Sequence, residues 1–145
     1  MDPVLRRAAR LLVMDPEHSV LLFQYEDERR KWWATPGGGV EGGETSEQAA
    51  AREAAEECSL TGTALIALWT LTVEFTLRGQ SIRQIERYFL MRVSRQDVAL
   101  GDLVREAHRR EGIVAARWWS LDEIDTTSER VFPGDLCERL RTASA

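Results

Sequence analysis

The segment from Pro36 to Leu60 constrains this chain more than any other. It reads PGGGVEGGETSEQAAAREAAEECSL. Within it, Thr45–Cys58 contains neither Gly nor Pro and is rich in Ala, Glu and Arg, so it is predicted to be helical. Thr45 is placed to cap the helix, and Gln48 three residues later completes a capping box. The glycines just before it allow positive φ and close approach of the backbone to a ligand.

Elements of the other kind flank this helix. Arg10–Met14 and Val20–Tyr25 read as strands, joined by the turn residues Asp15-Pro16-Glu17-His18. Ala64–Leu77 and Ser81–Val93 read as a hairpin closed at Arg78-Gly79-Gln80. Ile113–Trp119 is a further strand, Ser120-Leu121-Asp122-Glu123 caps a short helix, and a last helix is predicted from Gly134 to Arg141. Glu26–Lys31 is read as a solvated loop, and Asp97–Gly112 as a long loop or frayed helix. The order of strands, helix, strands, helix predicts an α/β (α+β) sandwich on a mixed sheet, not a βαβ repeat.

Composition narrows the function classes. The 145 residues suit one domain over 1–145, and 43% apolar with 30% charged residues is a globular balance. No stretch approaches the roughly 20 apolar residues of a membrane span. The N-terminus lacks a secretory pattern, and Cys58 and Cys137 make no CxxC pair. A cytoplasmic, reducing location is therefore expected. A net charge of −5 weighs against a nucleic-acid partner.

Glu53, Glu56 and Glu57 fall at i, i+3 and i+4 on one face of the predicted helix, with Ala51, Ala54, Ala55 and Cys58 opposite. Each like-charged pair costs about 0.2–0.5 kcal/mol, and Arg52 can neutralise only Glu56. One reading is a solvated helix face. The other is a missing hard cation, Mg²⁺ or Mn²⁺, since the nearby donors are carboxylates without His or Cys.

Gly38, five residues, Glu44, seven residues and then Arg52-Glu53-Ala54-Ala55-Glu56-Glu57-Cys58-Ser59-Leu60 resemble the Nudix box, G-x5-E-x7-R-E-U-x-E-E-x-G-U. The flanking W-x-x-P-G-G (Trp33–Gly38) and the later W-W-S-L-D-E-I are also similar to members of that family. Two positions depart from the pattern: Ala54 is smaller than the usual aliphatic residue. Ser59 stands where a glycine would accept a left-handed C-cap, at a cost of about 1 kcal/mol.

The resemblance implies a Nudix-type α/β/α sandwich. It also implies hydrolysis of a nucleoside diphosphate linked to another moiety, by attack of water on a pyrophosphate phosphorus. In that reading Glu53, Glu56, Glu57 and the Gly37 carbonyl hold Mg²⁺ (Mn²⁺ can substitute), Arg52 orients the acids, and Glu44 braces the loop. The main chain at Gly38 and Gly39 reaches the phosphates, where a Cβ would intrude. The general base is Glu53, Glu106 or Glu111, or else metal alone activates the water. Two other functions remain open: a non-hydrolytic nucleotide sensor, and an RNA 5′-end pyrophosphohydrolase, the latter disfavoured by the acidic balance. A homodimer is compatible with the pattern.

Residues outside the box add further candidates. Alternation in Ser81–Val93 places Gln84, Glu86, Tyr88 and Leu90 on one face. Glu86 and Tyr88 are therefore candidates for a substrate cleft or, equally, for an exposed edge. Trp32, Trp33 and Trp69 are candidates to stack on a base. Trp118 and Trp119 are expected in the core, Cys58 is expected to be packed, and His18 and His108 are expected to be structural.

Overall fold

The computed structural model describes residues 2–98, 108–109 and 111–144. In chain order the strands are β1 (Val4–Met14), β2 (Val20–Glu26), β3 (Lys31–Ala34), β4 (Gly37–Gly39), β5 (Ile66–Leu77), β6 (Gln80–Arg92), β7 (Ile113–Trp119) and β8 (Val131–Phe132). The helices are α1 (Ser46–Cys58), α2 (Leu121–Thr126) and α3 (Leu136–Ser144), with a 3-10 turn at Arg95–Asp97.

The strands form one mixed sheet with the order β5-β6-β1-β2-β3-β8, in which β4 also pairs with β1 and β7 with β2. β1 lies parallel to β6 from Val4↔Ile82 to Met14↔Arg92, and β3 lies parallel to β8; the other pairings are antiparallel. β1 is covered on both faces beyond Arg7, which explains its continuous aliphatic run. Ala9, Leu11 and Val13 pack with Leu21, Phe23, Phe89 and Met91 beneath α1. Leu12 and Met14 face the other way, into a core with Leu22, Tyr88 and Leu90 that α3 covers with Leu136 and Leu140. Leu121 and Ile124 of α2 pack against the edge of that second core. The layers are α/β/α, as the sequence predicts. No helix among the described residues is long and apolar enough to cross a membrane.

Local chemistry sets the elements. The Thr45 side chain accepts from the Gln48 amide, and the Gln48 side chain accepts from the Thr45 amide, closing the predicted box. Ser120 and Glu123 do the same for α2. Arg78 (φ 51°) and Gly79 (φ 77°) make a two-residue turn of the kind that suits a tight hairpin. Ser59 does adopt the left-handed conformation, φ 57° and ψ 31°, and the Leu60 amide closes the helix by donating to the Ala54 carbonyl at 3.0 Å.

Besides the short strands β3 and β8, which the sequence reading lacks, the structure departs from it at three elements. β1 starts at Val4, six residues early, because its polar first turns are held by the parallel ladder to β6. The three glycines form β4 against β1, so they are a strand and not a bend. On α1 the buried stripe is Ala49, Ala50, Glu53, Ala54, Glu57 and Cys58, while Ala51 and Ala55 are exposed. The helix turns two of its acids inward, because its packed face looks onto β1 and β4.

Candidate active site

Arg52 is the organising residue of the loop before α1. Its guanidinium grips Glu44 with two hydrogen bonds, Nε to Oε2 at 2.8 Å and Nη2 to Oε1 at 3.0 Å. It also donates to Glu53 Oε1 at 2.9 Å, Gly39 O at 3.0 Å and Glu56 Oε2 at 3.4 Å. Glu44 in turn accepts the Glu41 amide at 2.9 Å. The hydrogen bond from Arg52, then that from Glu41, holds the Glu44 carboxyl below the usual carboxylate range. The fork geometry of Arg52 thus ties β4, the glycine loop and α1 together.

Glu53 and Glu57 are buried at 6% and 4% exposure, an unusual condition for acids. Glu57 Oε1 accepts the Gly37 amide at 2.9 Å, whereas Oε2 is buried and receives no donor from any described residue. Burial, and next the charge of Glu53 beside it, push the Glu57 carboxyl up to about 9. Gly38 is packed so closely that a Cβ there would lie 2.5 Å from Glu53 Oε1. Gly37 is held at φ 146°, where a Cβ would meet the Ala9 carbonyl at 2.2 Å. Glu56 sits at the rim, its carboxylate drawn toward Arg52. Among the described residues no three acidic, His or Cys side chains converge on one point.

These features open onto a cavity of about 470 Å³. Its lining includes the acids Glu41, Glu53, Glu56 and Glu111, together with Arg6 and Arg10 of β1, Gln84 of β6 and Tyr25 of β2. The β1–β6 register sets Arg6 opposite Gln84, Ala8 opposite Glu86 and Arg10 opposite Tyr88. Beneath Arg10, Glu86 is 1% exposed. Its Oε2 accepts Arg10 Nε at 3.1 Å and Gln84 Nε2 at 2.9 Å, and its Oε1 accepts the Tyr88 hydroxyl at 3.4 Å. Burial opposes the charge on Arg10, but Tyr25, Glu86 and Tyr88 around it raise its pKa further, so it stays cationic.

Gly37, Gly38, Gly39, Glu53, Glu56 and Glu111 therefore line one cavity, with Arg52 in its wall and Glu44 and Glu57 behind. Glu106 lies outside the described residues. Expectations for five residues need correction. Glu86 is neither a cleft residue nor an edge residue, but the buried anchor under Arg10. Tyr88 is fully buried, stacked on Trp69 with ring centres 5.2 Å apart. Trp33 is buried edge-on against Trp119, its indole N–H reaching Glu129 at 3.3 Å, so it does not face the cavity. Trp32 stacks on Tyr25 and Trp69 on Tyr88, which leaves neither in the cavity lining. Cys58 is packed in the core, as expected. His108 is buried with Nε2 3.2 Å from the Glu57 carbonyl oxygen, a placement that holds the end of α1.

Sequence reasoning missed Arg10, Arg6 and Gln84. One signal for them was available, the charged residues in the first half of a strand whose second half is wholly aliphatic.

The donor set suits a hard divalent cation, since carboxylate oxygens dominate and one buried oxygen has no partner. A cradle that a Cβ at Gly38 would fill adds to the fit.

Residues 4–139 match the family described as the NUDIX domain. No curated protein matches the chain. Among solved structures, a mutT/nudix family protein from Listeria innocua has a TM-score of 0.70 at 21% identity, covering 99% of this chain and 96% of that one. The MutT protein of Methanosarcina mazei Go1 gives 0.68 at 20%, with coverage of 99% and 96%. A C. elegans Ap4A hydrolase binary complex gives 0.67 at 22%, with 94% and 96% covered. At such identities the likeness is one of fold.

Proposed function

The chain belongs to the Nudix family, whose domain it matches over residues 4–139, and from that premise we propose that this pyrophosphate hydrolase is a Mg²⁺-dependent enzyme acting on a small nucleotide. Its substrate is a nucleoside diphosphate linked to another moiety, and water attacks one phosphorus. The supporting observation is the pair of buried carboxylates, Glu53 in the wall of an open cavity and Glu57 behind it, with Glu57 Oε2 left without a donor from any described residue. Such a pair is unfavourable on its own and becomes favourable with a cation.

Glu53, Glu56, Glu57 and the Gly37 carbonyl would hold Mg²⁺, with Mn²⁺ able to substitute. A divalent ion held there would supply charge neutralisation for the pyrophosphate oxygens and a lowered pKa for bound water. The protein supplies the rest. Arg52 fixes the Glu53 carboxylate and the loop carbonyl of Gly39, so the acids are set before substrate arrives. Gly38 and Gly39 keep the approach clear of side chains. Arg6 lines the same cavity beside Gly39 and supplies a cation for the phosphate oxygens. The proton of the attacking water goes to Glu53 or Glu111, the two carboxylates of the cavity wall suited to receive it. A single domain over 1–145, working in the cytoplasm, completes the proposal.

The test is a hydrolysis screen with Mg²⁺ over nucleoside triphosphates, oxidised purine nucleotides, dinucleoside polyphosphates, ADP-ribose, NADH, coenzyme A and nucleotide sugars. Glu56→Gln and Glu57→Gln are run beside the wild type. Turnover of one class, lost by powers of ten in both variants, supports the proposal. Retained nucleotide and Mg²⁺ binding without any turnover replaces it with a sensor.

A further inference from the structure

The β1–β6 side of the cavity, where Arg10 stands beside Gly37, is built differently from a phosphate site. Arg10 lines the cavity, yet its charge is compensated from below by Glu86, whose carboxylate is 2% exposed. A phosphate placed on Arg10 would bring its negative charge toward that buried carboxylate. What Arg10 offers instead is a planar set of N–H donors, aimed by the Nε–Glu86 bond and by a longer contact from Nη1 to the Thr35 carbonyl at 3.5 Å. With the charge already paired to Glu86, the remaining planar donors can serve a neutral acceptor.

Gln84 supplies the complement. Its Nε2 is committed to Glu86 at 2.9 Å, which fixes the amide orientation and leaves Oε1 as an acceptor that no described residue engages. Gln84 is 7% exposed and lines the same cavity. Its register partner on β1 is Arg6, two residues before Ala8, which pairs with Glu86. Arg10 and Gln84 converge on one carboxylate, so a fixed donor and a fixed acceptor stand side by side.

We infer that Arg10 and Gln84 read the base of the nucleotide, Arg10 donating to a ring carbonyl and Gln84 Oε1 accepting the adjacent ring N–H, so that the site selects a lactam edge such as that of a 6-oxopurine. Glu86 is a positioning residue that aims both. The inference rests on the proposed nucleotide chemistry of this cavity and adds which base it takes. A 6-aminopurine in the same pose turns an N–H toward the guanidinium, donor against donor, and leaves both Arg10 and Gln84 unsatisfied. A well-placed arginine contact to a guanine edge discriminates by about 10- to 100-fold.

The test compares binding of GMP, IMP and AMP to the intact protein by titration calorimetry, without chemistry, alongside kcat and KM for GTP and ATP. GMP and IMP should bind about 10-fold or more tightly than AMP. Arg10→Lys, which keeps the charge but loses the planar fork, and Gln84→Met should each remove most of that preference. Glu86→Gln should raise KM for GTP while leaving kcat within a few-fold, because it loosens aim without touching the acids. Should Arg10→Lys fail to fold, as judged by its near-UV circular dichroism, Gln84→Met and the wild-type comparison still decide. Equal affinity for GMP and AMP, no measurable GMP binding at millimolar concentration, or a preference that survives both variants overturns the inference. Hydrolysis without base preference overturns it alone; a base preference without hydrolysis of any substrate overturns the enzymatic reading and leaves the base-reading wall standing.

Discussion

Glu57 Oε1 holds the amide of Gly37 at 2.9 Å across 20 residues of sequence, while its second oxygen is buried without a donor from any described residue. One carboxylate thus fastens the glycine strand to the helix and carries an unmet electrostatic demand. The two duties separate on substitution. Glu57→Gln keeps an acceptor for Gly37 and gives Glu53 a donor. In EDTA the variant should be more stable than wild type, by on the order of 1 kcal/mol in urea melts. Hydrolysis should fall on the order of 1000-fold, and the rise in melting temperature on adding Mg²⁺ should disappear.

The same residue sets a pH dependence. Its folded-state pKa is raised to about 9, above the ordinary carboxylate value. In the metal-free protein the folded state therefore keeps a proton that the unfolded state has lost. Stability falls as pH rises from the ordinary carboxylate range toward 9. Urea midpoints in EDTA at pH 5.5 and 8.5 should show this decline, and Glu57→Gln should flatten it.

Asp15 has the opposite sign. Burial raises its pKa, but the hydrogen bond from Arg95 and the amides of Ser19 and Glu17 more than offset this, leaving the carboxyl below its ordinary value. Its contribution is fully present above the unfolded pKa near 4 and is lost as pH falls through the depressed folded value. Asp15→Asn should cost stability at pH 7, with the gap to wild type closing on acidification. A constant gap down to pH 3 contradicts the assignment.

Arg52 grips Glu44 through two parallel hydrogen bonds. Arg52→Lys replaces the fork by a single point charge, so kcat should fall about 10- to 100-fold. Glu44→Gln should fall comparably. The double variant should be little worse than either single one, because both break the same brace. Multiplying losses would show that the two residues act separately.

Ser59 sits at φ 57° where most residues are strained. Ser59→Gly should raise stability by about 1 kcal/mol, read as a melting temperature higher by roughly 2–4 °C, with kinetics unchanged. No gain would mean that the serine side chain compensates its backbone locally.

What was legible in the sequence was local. The Thr45–Gln48 and Ser120–Glu123 boxes and the Arg78-Gly79 turn each depend on residues within a few positions, and all three formed as read. The box acids were legible by spacing. The short strands β3, β4 and β8 were not, because their pairing is decided by partners elsewhere: Gly37–Gly39 is a strand only because β1 lies beside it. Strand alternation correctly grouped Gln84 with Glu86 and Tyr88, but could not say that Arg10 would cover Glu86, since that contact spans 76 residues. The helix periodicity likewise could not show that α1 would turn Glu53 and Glu57 inward while exposing Ala51 and Ala55.

The parallel ladder between β1 and β6 also dictates an order of events during synthesis. A nascent chain that ends before Gln80 already carries α1 and its buried-acid pair, but it lacks Gln84 and Glu86, so Arg10 has no anchor and the cavity no β6 side. Such a truncated chain holds the repulsion between its acids without the framework around them. The ladder pairs residues 78 positions apart, as Val4 with Ile82, a distant closure of the kind that slows folding. Capture of ligand is thereby deferred until synthesis has passed Arg92, beyond the middle of the polypeptide.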